Sequence, residues 1–177
     1  MMSAVRFIAR RREGARLAAA LLLALCLWHA GDASAAPPPA SAEADAAAIE
    51  ACLADPSMRA RDPHECGDRV LHQCLEAAST AGSASAGLAC EKRRAEAWNV
   101  IARESYHAIE SRLGDADRHL LRGSQAQFEL DLRDLCAVAR ALAGNDAELA
   151  AASCASDLVA SRALSLRRLA GGGSQAH

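Results

Sequence analysis

Six cysteines carry most of the chemistry this chain can offer: Cys52, Cys66, Cys74, Cys90, Cys136 and Cys154. Two belong to His-x-Cys units, His64-Glu65-Cys66 and His72-Gln73-Cys74, residue types that ligate zinc. On one continuous helix the units stand about 12 Å apart, too far to share a tetrahedral ion. Oxidised cysteines and surface histidines are therefore expected, with no metal and no cofactor. Oxidation also removes the obvious nucleophile. The chain has no Gly-x-Ser-x-Gly turn, phosphate-binding glycine loop, His-Glu-x-x-His or Cys-x-x-Cys. Asp131 and Asp134 are helix neighbours, as are Asp115 and Arg118, and such pairs are ordinarily solvated charge. His107 and His119 have no motif around them. The expectation is a protein that is not an enzyme, with no catalytic residue.

The elements that must hold these cysteines read as helices. Valine, isoleucine and threonine number only eight after residue 35, which leaves too little β-forming material for a sheet. A first helix is expected from about Ser41 to Ala54, stopped by Asp55-Pro56. Asp62-Pro63-His64-Glu65 combines an N-cap, a proline at the first helical position and a returning glutamate, so a second helix runs to about Ala78. Its inner positions are Cys66, Val70, Cys74 and Ala77. A third, from about Leu88 to Leu113, has the period Trp98, Ile101, Ala102, Ser105, Ile109, Leu113, and Gly114 ends it. Asp115 or Asp117 caps a fourth, with Leu121, Ser124, Gln125, Phe128, Leu132, Leu135, Cys136 and Ala139 inward. Gly144-Asn145-Asp146 breaks it, and a last helix from about Ala147 to Leu169 turns Ala151, Cys154, Leu158, Arg162 and Leu166 to one face. The fold expected is all-α, an antiparallel bundle of four to five helices. Six cysteines permit fifteen pairings. Cys52–Cys66, Cys74–Cys90 and Cys136–Cys154 would each close one helix-turn-helix, and that connectivity is the expected one.

Residues 1–35 have the three parts of an export signal: five arginines, the apolar run Leu17 to Trp28, and small residues ending in Ala33-Ser34-Ala35. The apolar run reaches about 18 Å, short of a hydrocarbon core of roughly 30 Å, so cleavage after Ala35 is expected and stable membrane insertion is not. Leu25 precedes Cys26, which disfavours acylation there. Residues 36–40 form a Pro-rich leader, 41–170 the helical domain and 171–177 a Gly/Ser tail. Beyond residue 35 remain 15 basic and 20 acidic residues, 15 − 20 = −5. One lysine and three aromatics, Trp98, Tyr106 and Phe128, provide neither the charge nor the stacking surface of a nucleic-acid binder. An even cysteine count behind an export signal places the protein in the periplasm or outside the cell.

From Ile49 to Leu169 the chain resembles the LprI-like lysozyme inhibitor family of small exported bacterial proteins, in a version with added N-terminal cysteines. The resemblance rests on Cys90 with Trp98-Asn99 and Tyr106, on Ser124-Gln125-Ala126-Gln127-Phe128, on Arg133-Asp134 near Cys136, and on Cys154 with Ala160-Ser161-Arg162-Ala163-Leu164. The family commonly has Asp at Asn99 and Trp at Phe128. The resemblance implies a disulfide-stapled helical domain outside the cytoplasm and, for some members, inhibition of lysozyme. An acidic protein would be steered toward a strongly basic c-type lysozyme or a similar glycan hydrolase. The alternative is an envelope structural or stress-related protein without inhibitory or catalytic activity.

Among family-matching residues, Trp98 and Phe128 sit on apolar faces and read as core. Tyr106 is placed to bond Gln125 across helices, and Arg162 to pair with Asp134 or Asp131. The element expected to grip a partner is the loop Ser79 to Gly87, small and hydroxyl-rich, including Ser79, Ser83 and Ser85. Lys92, Arg93 and Arg94 would add positive charge beside it.

Overall fold

The computed structural model describes residues 41–80 and 85–172. The expected export signal, the leader, Ser83 and most of the tail lie outside them. The described residues form five α-helices: α1 (Ala42–Ala54), α2 (Glu65–Thr80), α3 (Ala86–Glu110), α4 (Asp115–Leu142) and α5 (Ala147–Gly172). Three-residue and five-residue 3-10 turns, Gly144–Asp146 and Pro56–Ala60, complete the order.

Capping chemistry sets most boundaries. Ser41 Oγ accepts the Ala44 N–H at 3.2 Å and opens α1, and Glu43 and Asp45 lie in the first turn, where the helix dipole favours negative charge. After α1, Asp55 Oδ1 accepts the Ser57 N–H at 2.8 Å and starts the Pro56–Ala60 turn, which buries Met58. Helix pattern alone does not foresee that turn. Asp62 Oδ1 accepts the His64 N–H at 2.9 Å just ahead of α2, as the Asp-Pro signal implies. Gly114 does not close α3, which ends at Glu110; it is the extended N-cap residue of α4. Gly144, with φ +56°, makes the turn into α5.

Two expected segments are corrected. Helix α2 runs through Thr80 and α3 begins at Ala86, so Ser79, Thr80, Ala86 and Gly87, expected in a loop, are helical. Serine and threonine in a last helical turn and alanine in a first one cost little helix propensity, so both helices run into the expected loop. Helix α5 extends through Gly172, taking Gly171 and Gly172 out of the tail.

The three disulfides follow sequence order: Cys52–Cys66 joins α1 to α2, Cys74–Cys90 joins α2 to α3, and Cys136–Cys154 joins α4 to α5. Their Cα separations are 5.7, 5.6 and 5.5 Å, within the range a disulfide spans. The protein is a disulfide-stapled all-α bundle, and its oxidised cysteines fit a compartment outside the reducing cytoplasm. No helix among the described residues is long and apolar enough to cross a membrane.

Helices α3 and α5 share the longest seam, and α1 and α2 pack on α3. Their core holds Ile49, Met58, Cys66, Val70, Trp98, Ile101, Val159, Ala163 and Leu164. The Trp98 indole is fully buried and lies against Gly67, where any Cβ would strike its ring. Charge ties this half together as well. Arg93 donates to both Asp45 carboxylate oxygens at 2.6 and 2.8 Å, and Arg167 binds Glu50 at 2.8 Å. Helix α4 packs on α5 and buries Cys136 alone among its described residues. Sandwiched between neighbours, α5 buries Val159, Ala160, Ala163 and Leu164 besides Ala151 and Leu166, so it has no single inner face.

Candidate functional site

Because α4 packs closely on α5 and much less on α3, the bundle leaves an open groove between α3 and α4 with α5 as its floor. One stretch, with a cavity volume of about 190 Å³, is lined by Asn99, Arg103 and Tyr106 of α3, Gln125 and Phe128 of α4, and Val159, Arg162 and Leu166 of α5. The other, about 470 Å³, takes in Lys92 of α3, Leu132, Arg133 and Arg140 of α4, and the alanines 151, 152 and 155 of α5. The residue order in the two stretches shows that α3 and α5 run parallel, with α4 antiparallel between them in sequence. Near the α3–α4 turn, Arg122 donates to Glu110 at 3.1 Å and Arg112 donates to the Ala170 carbonyl at 2.8 Å.

Arg162 occupies the middle of the narrower stretch. Its two terminal nitrogens donate to Ser124 Oγ at 3.2 Å and Gln125 Oε1 at 3.3 Å, neutral acceptors at distances longer than an arginine–carboxylate bond. The guanidinium lies 5.6 Å from the centre of the Phe128 ring, within cation–π range. Its Nε is buried without a partner. Gln125 donates in turn to Glu129 at 3.1 Å, which orients its amide so that oxygen faces Arg162. Across the groove, Arg103 is exposed and has no carboxylate within ion-pair distance among the described residues. The arrangement is a half-buried cation on an aromatic face, flanked by apolar side chains and amides. Such a cation can pair with a negatively charged group that has an apolar neighbour.

Several sequence expectations meet a different geometry. Arg162 bonds Ser124 and Gln125, while Asp131 bonds Gln127 at 2.8 Å and Asp134 bonds Arg133 at 2.8 Å. That neighbouring pair is exposed, and the hydrogen bond from Arg133 to Asp134 raises the Arg133 guanidinium above the ordinary arginine value. Gln125 pairs with Arg162 and Glu129, not with Tyr106. Phe128 is only partly buried, packed against the core with Arg162 over its ring. Trp98 is core, as its helix face implies.

Around the α2–α3 link the charges are already engaged. Arg94 is buried and bonds Asp68 at 2.7 Å, Asp157 at 2.7 Å and Glu91 at 2.9 Å. Arg93 is spent on Asp45, whose hydrogen bonds raise it above the ordinary arginine value. Neither offers free charge beside the loop. Lys92 is exposed but lines the groove. Ser79 Oγ donates to the Glu76 carbonyl at 2.8 Å within α2, and Ser85 stands at the N-cap of α3. Both cysteines of the His-x-Cys units are in disulfides, and His64 lies 6.5 Å from Trp98, ring to ring.

The fold and groove define a disulfide-stapled helical bundle with an open interhelical cleft. Comparison with protein-family models, with curated proteins and with solved structures gives no match. Asn99, Tyr106, Gln125, Phe128 and Arg162, chosen from sequence for a resemblance and spread over three helices, all line the narrower stretch. The sequence does not signal Arg103, which needs the groove to show its place.

Proposed function

We propose that this is an exported, periplasmic or secreted binding protein of the lysozyme-inhibitor type, acting by protein–protein contact and not by catalysis. One observation supports the reading most: residues far apart in sequence that carry the resemblance converge on one open groove. Its walls belong to stapled helices, so a partner meets a surface whose ordering cost has largely been met by folding. With residues 1–35 removed as an export signal, the acidic balance of 15 − 20 = −5 favours approach to a basic glycan hydrolase.

The test is inhibition of several purified lysozymes by the oxidised protein, with two variants alongside. Arg162→Gln alters the groove, and a glycine-only replacement of residues 79–85 alters the α2–α3 link. Loss of inhibition in either, with an unchanged melting curve, locates the contact. A parent protein that inhibits no lysozyme removes this reading in favour of an envelope structural role.

A further inference from the structure

Among the described residues, the other arginines that are buried or half-buried, Arg93, Arg94, Arg118 and Arg167, each bind a carboxylate. Arg162 binds none. We propose that the groove binds the C-terminal residue of a peptide or partner protein, with its carboxylate on Arg162 and its apolar side chain on the groove floor. This rests on the groove being the partner-contact surface.

Three features select that ligand. A guanidinium whose two terminal nitrogens make only long bonds to neutral oxygens gains most from a carboxylate, which its planar fork matches in two bonds. Ala102, Phe128, Val159 and Leu166 surround the cation with apolar surface. An Asp or Glu side chain carries nothing apolar past its carboxylate, whereas a C-terminal residue bears carboxylate and side chain on one carbon. Finally, about 190 Å³ is below the roughly 300–1,000 Å³ of a drug-sized or cofactor site and suits a single residue. A second, alanine-lined cavity under Lys92 lies farther along the same three helices, where the preceding residues of a chain would lie.

Binding is measured by calorimetry on the full oxidised protein with acetyl-Gly-Ala-Leu as the free acid, the same peptide as its C-terminal amide, and N-acetyl-leucine. The free acid is expected to bind saturably, with the amide at least about tenfold weaker. Arg162→Gln should bring the acid down to the level of the amide, Arg162→Lys should recover part of the difference, and exposed Arg103→Gln should weaken the acid a few-fold. Melting curves establish that each variant is folded. Equal affinity for acid and amide, or binding of neither, overturns the proposal, and N-acetyl-leucine binding as tightly as the tripeptide overturns its peptide character. Peptide binding without lysozyme inhibition leaves this inference standing while the proposed function fails; inhibition without peptide binding does the reverse.

Discussion

Helix α5 has two sides, and the bundle treats an arginine differently on each. Toward α1, α2 and α3, Arg94 is enclosed by Asp68, Glu91 and Asp157, and Trp98 is sealed beside it. Toward α4, Arg162 faces neutral oxygens, an aromatic ring and an open groove. A buried cation without a counter-charge is costly, so the closed side has the arrangement of a structural support and the open side that of a site waiting for charge. The contrast extends to apolar surface. Leu135, Val138 and Leu142 of α4 are 53, 56 and 82% exposed, while Trp98, Ala97 and Ile49 of the closed half are 0% exposed.

The largest expected effect lies in the closed half. Trp98→Ala should destabilise by about 3–5 kcal/mol, read from denaturant unfolding of the oxidised protein. A loss below about 1 kcal/mol would mean the two halves are not so different in packing. Arg94→Met comes next, at about 3 kcal/mol, because it strands Glu91, which is 8% exposed, while Asp68 and Asp157 can return to water. If Arg94→Met is neutral, the network contributes little and the contrast with Arg162 weakens. Removing Cys136–Cys154 as a double alanine variant should lower stability by about 2–3 kcal/mol through the freed loop. Hydrogen exchange should then rise in α4 ahead of α3, since α4 leans mainly on α5.

Arg162→Gln sharpens the comparison from the other direction. Its stability should stay within about 0.5 kcal/mol of the parent, since no ion pair is lost, while ligand binding falls. Smallest of all is a pH effect at the α1–α2 junction. The Ser57 N–H holds the Asp55 carboxyl below its ordinary value of 3.8. That contribution is complete above 3.8 and disappears as pH falls through the lowered value. The stability gap between the parent and Asp55→Asn should therefore be present at neutral pH and close in acid.

Much of the fold is legible in sequence because its signals are local. Asp62-Pro63 caps a helix wherever it stands, Trp98 to Ile109 repeats with helical period, and each disulfide closes one adjacent hairpin. What stays hidden depends on which helix meets which. The period Leu121, Gln125, Phe128, Leu132 is the same whether α4 packs on one helix or two, so its separation from α3, and hence the groove, has no sequence signature. Nor does sequence show that Arg94 reaches Asp157 or that Arg162 takes Gln125 in place of Asp131. Those choices follow from axial stagger between helices. The eight family-matching positions were legible individually, and the meeting of five of them in one cleft was not, nor was the sealing of Trp98 in the core or the pairing of Arg133 with Asp134 on the surface.

The close approach of Gly67 to Trp98 has a spectroscopic consequence. Trp98 is the sole tryptophan after Trp28, so in a chain cut after Ala35 the emission would come from one indole wedged against α2. That emission is a local gauge of whether α2 is seated. A red shift marks the moment α2 lifts away and water reaches the ring, whereas events in the cleft, where Tyr106 is the sole phenol, leave the indole band unmoved.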